Sequence, residues 1–241
     1  MNILSSAGFL QHLYQVCRLP PGSGALVAPV CSTFVFMSKG TTKRSAIQPE
    51  GDVSAPSVRA GNKILCRTLV LLFVCAALQV WWILEQPKGS CMEDHPAFQY
   101  FMRQVTTFRH YMTMDEYGGP TQKPTWLYSG LKCIEELYKF KPLRLPQHVV
   151  EEKQMVVHYK DKNGVDRICG GKDLKSSENY PAQFGVALAR LRTHHAAQVK
   201  KNALRVVKNN LKGCSMIPLN HRASPRWIKW AELEPVFDFL M

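Results

Sequence analysis

Thr68 to Leu84, TLVLLFVCAALQVWWIL, runs for seventeen residues with one polar interior member, Gln79. As a helix rising 1.5 Å per residue it would be about 25 Å long, and Ile64 to Arg67 extend it toward the roughly 30 Å of a hydrocarbon core. A strand is rarely that long, whereas a core helix of a globular domain can share both length and composition. The run predicts a transmembrane helix over residues 64–85, with the lipid bilayer as its partner. Arg59, Lys63 and Arg67 stand just before it and Lys88 is the one basic residue close behind. An excess of cations on the cytoplasmic side therefore orients the chain as a single pass with its amino terminus cytoplasmic. Trp81 and Trp82 lie at the far end, where indoles favour the headgroup level, and are read as the membrane anchor.

Residues 1–63 are expected to form a flexible or targeting tail. No Asp or Glu occurs before Glu50, and Arg18, Lys39, Lys43 and Arg44 are scattered among Ser and Thr, as in organellar transit peptides. Pro20, Pro21, Gly22 and Gly24 read as loop, and so does the stretch 48–62.

Residues 86–180 predict a small mixed α+β domain. Asp94 is placed to cap a helix over Asp94 to Val105, with Pro96 in its first turn and Phe98, Phe101, Met102 and Val105 on one face. Phe108 to Met114 and Thr125 to Ser129 read as strands on either side of a loop rich in Gly and Pro, and Leu131 to Phe140 as a helix ended near Pro142. Met155 to Tyr159 and Val165 to Cys169 flank Asp161-Lys162-Asn163-Gly164, which predicts a hairpin because Asn-Gly tolerates positive φ.

Residues 181–241 are a basic helical region. Of the net charge of +13, much falls here, because no acid occurs between Glu178 and Glu232. A long helix is expected over Pro181 to Lys212, with a break near Thr193 to Ala197 as the alternative. Phe184, Leu188 and Leu191 form one apolar stripe and Leu204, Val207 and Leu211 another. Lys201, Arg205, Lys208 and Lys212 recur at spacings of four, three and four, which places them on one face. These cations are candidate contacts for nucleic acid or anionic lipid, with Trp227 and Trp230 as stacking platforms; a solvated helix face explains the same pattern.

The search for reactive motifs is negative. H-E-x-x-H, G-x-S-x-G and G-x-G-x-x-G are all absent, and no pair of cysteines has the spacing of a structural zinc site. Four of the eight cysteines follow the apolar run and are compatible with two disulfides or with buried thiols. Gly170-Gly171-Lys172 lacks the rest of a phosphate loop, and His194-His195 are adjacent, so on a helix they point about 100° apart and cannot chelate one ion. No metal, cofactor or small-molecule substrate is indicated.

One resemblance joins several of these stretches. Glu93-Asp94-His95-Pro96, the strand ending at Asp115, the loop Tyr117-Gly118-Gly119-Pro120-Thr121-Gln122-Lys123-Pro124-Thr125 and the following Trp126-Leu127-Tyr128-Ser129 resemble the late part of a cytosine-5 DNA methyltransferase-type domain. There an acidic E-N-V or E-N-P strand end is followed by a Y-G-x-P-Q-x-R-x-R-like loop between strands. The continuation from His158 through Gly170-Gly171 to Phe184-Gly185 resembles a module of retroelement-like algal proteins. Such a family implies a Gly-rich loop for S-adenosylmethionine and a Pro-Cys thiolate that attacks the base. Neither element occurs in this chain, so the expectation is a non-catalytic remnant on a single-pass membrane anchor. The alternatives are a soluble nucleic-acid-binding remnant of a mobile-element polyprotein and a part of a DNA methyltransferase completed by another chain.

Overall fold

A computed structural model describes residues 2–143, 156–171 and 179–213. It is mixed helix and sheet, as expected, but the apolar run is not one element. Helix α3 (Pro56–Ala77) takes its first part and strand β2 (Trp81–Pro87) its last. The transmembrane helix expected over 64–85 is therefore corrected to a helix, a reversal and a strand. Leu78 is the helix C-cap; Gln79 follows at φ +57°, Val80 N–H donates to the Cys75 carbonyl at 2.9 Å and Gln79 N–H to that of Ala76. That pair of bonds is the Schellman termination, with Gln79 in the left-handed position usually held by Gly.

Before α3 come α1 (Ser6–Cys17), β1 (Gly24–Val27) and a short α2 (Lys39–Thr42). After β2 follow α4 (Pro96–Gln104), β3 (Phe108–Thr113), β4 (Pro124–Ser129) and a 3-10 segment over Lys132–Phe140. The main sheet has the order β1-β2-β4-β3, with β1 parallel to β2 and the other neighbours antiparallel. Parallel neighbours need a crossover of a dozen or more residues, and α3 supplies it.

This arrangement explains the apolar run. A strand covered on both faces does not alternate; it reads as a continuous apolar stretch. Trp82 and Leu84 of β2 join Leu65, Leu69 and Leu72 of α3 and Phe98 and Phe101 of α4 in one core. Trp81 and Ile83 point the other way, into a second core with Leu127, Ile134, Leu137 and Phe184. Each such buried side chain contributes roughly 1.5–3 kcal/mol.

The expected tail is likewise part of the fold. Helix α1 packs on α3, and β1 pairs with β2 in register from Gly24 with Trp81 to Val27 with Leu84. Arg44 is 2% exposed: its guanidinium donates to the carbonyls of Pro49 and Val58 and to Asn62 Oδ1, and it lies 3.8 Å from the Phe34 ring centroid. Helix α4 is capped by His95 rather than Asp94, with His95 Nδ1 accepting from Ala97 N–H at 3.2 Å. The hairpin forms as β5 (Val156–Lys160) and β6 (Asp166–Gly170), with Gly164 at φ +73°. Helix α5 (Ala182–Gly213) is unbroken through Thr193 to Ala197. No disulfide joins the described cysteines; Cys91 and Cys133 are buried thiols, and burial pushes Cys133 up to about 11. Cys214 lies outside the described residues.

Candidate functional site

In sheets with parallel strands, ligands meet the chain beyond the carboxyl ends of those strands. Here that end of β2 carries Glu85, Gln86 and Pro87, and the chain leaving β1 reaches Cys31 four residues past Val27. Glu85 and Gln86 are 3% and 2% exposed. Glu85 Oε2 accepts from the Tyr180 hydroxyl at 2.7 Å, and its Oε1 lies 3.3 Å from Lys123 Nζ. That second contact is an ion pair without hydrogen-bond alignment, since Oε1 is buried and has no donor. Lys123 also stands 4.8 Å from the Tyr180 ring centroid, on a backbone at φ +34°. Burial first, then the Glu85 charge and hydrogen bond, raise the Tyr180 hydroxyl above the usual phenol range, with Cys31 close enough to add to the effect. Gln86 Nε2–H donates to the Glu85 carbonyl at 2.7 Å, and its Oε1 accepts from Ser90 Oγ.

The buried strand-end acid is thus Glu85, followed by Gln86 and Pro87. Glu93-Asp94-His95-Pro96, which the sequence suggested for that place, instead leads into α4. Glu93 is tied to the surface side of the sheet: Arg109 Nη1 donates to both carboxylate oxygens at 2.8 Å, and the Tyr128 hydroxyl donates to Oε2 at 2.7 Å. Arg109 also lies 4.2 Å from the Trp126 ring centroid. Glu85 is not legible as a site residue in the sequence because it closes the apolar run and falls within the helix expected over residues 64–85. The usable signal was the triplet Glu-Gln-Pro directly after four large apolar residues.

The two strands expected around the Gly-Pro loop are present. Tyr117 and Gly118 close a 3-10 turn after β3, Gly118 at φ +84°, and Met114 N–H donates to the Gln122 carbonyl across the loop. Lys123, from that loop, is the residue that reaches Glu85.

The other named residues fall elsewhere. Trp81 and Trp82, expected at a headgroup interface, sit on opposite faces of β2 at 7% and 2% exposure, and the Trp81 indole N–H donates to Ser129 Oγ at 2.8 Å. Their alternation in a strand sends neighbouring side chains to opposite faces. Lys201 is exposed on α5, and Arg205, Lys208 and Lys212 follow on the same continuous helix. Trp227 and Trp230 lie outside the described residues. His194 is exposed, with its ring 5.5 Å from that of Phe140, and His195 is half-buried. Among the described residues no group of His, Cys, Asp and Glu is arranged to hold a metal ion.

No protein-family model, curated protein or solved structure matches this chain.

Proposed function

We propose that this chain is a non-catalytic α+β domain that binds nucleic acid along α5. The supporting observation is the helix itself. Phe184, Ala187, Leu188 and Leu191 seat its first half in the second core, and it continues without a break to Gly213. Lys201, Arg205, Lys208 and Lys212 therefore recur at one-face spacing on a single continuous helix, in a region with no acid between Glu178 and Glu232. Cations so arranged neutralise phosphates and release counterions. The methyltransferase resemblance adds to this reading through the two strands around the Gly-Pro loop. The non-catalytic part draws on Glu85, whose carboxylate faces a lysine and a tyrosine instead of open space.

Fluorescence anisotropy of the full chain with single-stranded and duplex DNA across a salt series tests it. Replacing the four cations by Gln should lower affinity similarly for all sequences and reduce the salt slope by up to about four. Unchanged affinity would reject the surface.

A membrane-anchored reading draws on α3, the one described helix long and apolar enough to cross a bilayer by length and composition; half of its most apolar window is buried within the protein. Retention in the membrane pellet after a carbonate wash would favour it. Release into the supernatant would sink it.

A further inference from the structure

The amino end of β2 opens onto a cavity of about 650 Å³, away from Glu85 at the other end. Its walls are chiefly aliphatic: Ala76, Val80, Val105, Leu131, Ala196 and Val199. Arg192, His195 and Lys200, all from α5, also line it, and no Asp or Glu does. The volume is in the range of sites that enclose small ligands.

Trp82 supplies a second and independent observation. The residue is 2% exposed, yet its indole N–H has no hydrogen-bond partner among the described residues, in contrast to the neighbouring Trp81. Its Nε1 lies beside Gly130, which also lines the cavity: a Cβ on Gly130 would come within 2.9 Å of that nitrogen. Trp82 itself lines the cavity, so this donor is open to an acceptor carried by a ligand. Arg192 donates one N–H to the Gly22 carbonyl, which holds its guanidinium at the cavity with further donors to spare.

We propose that this cavity binds an amphipathic carboxylate of the medium-chain fatty-acid class. The alkyl chain lies against Val80, Val105, Leu131 and Val199, and the carboxylate accepts from Trp82 Nε1–H and is neutralised by Arg192 and Lys200. Aliphatic walls favour a chain over a nucleobase, whose polar edges would be buried without partners. The absence of a lining acid favours an anion over a cation.

The test uses the full chain and 11-(dansylamino)undecanoate below its micellar concentration, read by energy transfer from tryptophan. Saturable binding is expected, with displacement by dodecanoate and not by dodecyltrimethylammonium. Ala196→Trp, on the exposed side of α5, should fill the cavity and weaken binding by about tenfold or more with an unchanged melting temperature. Arg192→Gln and Trp82→Phe should each weaken dodecanoate while leaving dodecanol displacement nearly unchanged. The fourfold Gln variant of the basic helix should bind dodecanoate as before, so this result does not depend on nucleic-acid binding. The proposal is overturned by an absence of saturable binding, by equal displacement with the cationic detergent, by full binding in Ala196→Trp, or by uptake only onto anionic phosphatidylglycerol vesicles.

Discussion

The two ends of β2 lie about six residues apart and are both buried, but they solve the problem of burial in opposite ways. At the carboxyl end a charged group, Glu85, is taken out of water and matched by Lys123 and the Tyr180 hydroxyl. At the amino end two indoles are buried for their apolar area, and one polar atom, Trp82 Nε1, is left without a described partner beside a cavity. The polar end is filled by the protein's own groups, whereas the apolar end leaves room. A buried acid at a strand end is thus a poor guide to where this molecule has space for a ligand.

Substitutions at the two ends should separate these modes. Trp82→Ala removes the larger amount of buried area, from between α3, α4 and the sheet, and should cost about 4 kcal/mol in chemical denaturation. Lys123→Ala leaves the Glu85 carboxylate buried without its cation and should cost about 3 kcal/mol, the lower end for a broken buried pair because Lys123 is 19% exposed. Adding Glu85→Gln should restore most of that loss, since the stranded charge is then gone. If the double variant is no more stable than the single one, Lys123 acts by packing and the contrast between the ends fails.

Acid should disturb the polar side selectively. His95 follows the carboxyl end of β2, is 5% exposed and has its Nε2 unpaired; burial first, then the Arg44 charge, lower its pKa from 6.5 to about 4. The folded state thus holds His95 neutral while the unfolded chain protonates near 6.5. Stability from this group is complete above that pH and declines as pH falls toward 4, by up to about 3 kcal/mol. His95→Asn keeps a side chain able to cap α4 and should flatten the urea midpoint between pH 6.5 and 4 relative to the parent. An unchanged acid slope would place the titration elsewhere.

The smallest effect lies at the amino end. Gln79 adopts φ +57° at the end of α3, where Gly has no Cβ to strain, and its side chain is exposed. Gln79→Gly should raise stability by about 0.5–1 kcal/mol, seen as a higher thermal midpoint. A fall would mean that the reversal between α3 and β2 is held by the Gln side chain.

Much of the local structure was legible beforehand. Periodicity and turn chemistry located α4, β3, β4, the β5–β6 hairpin and α5 to within a few residues, because each is specified by neighbours in sequence. The run from Thr68 to Leu84 was not, since apolar content alone does not distinguish a bilayer segment from a crossover helix followed by a strand covered on both faces. Gln79 was its only internal punctuation, and left-handed Gln is uncommon enough to be passed over. The same ambiguity hides Glu85 inside the run and gives residues 1–63 no visible sheet to join.

What the sequence determined by itself was the existence and type of α4, β3, β4, the β5–β6 hairpin and α5, the basic character of α5 and the lack of motif spacing for metal or phosphate chemistry. The tertiary structure decided where the apolar surface goes. It paired β1 with β2, set α3 against α1, α4 and the sheet, and brought Lys123, Tyr180 and Cys31 around the end of β2 from distant parts of the chain. Burial is a property of neighbours across space, and those neighbours are up to 95 residues from Glu85 in sequence. The local pattern could state that Thr68 to Leu84 avoids water, but only the fold states what it meets instead.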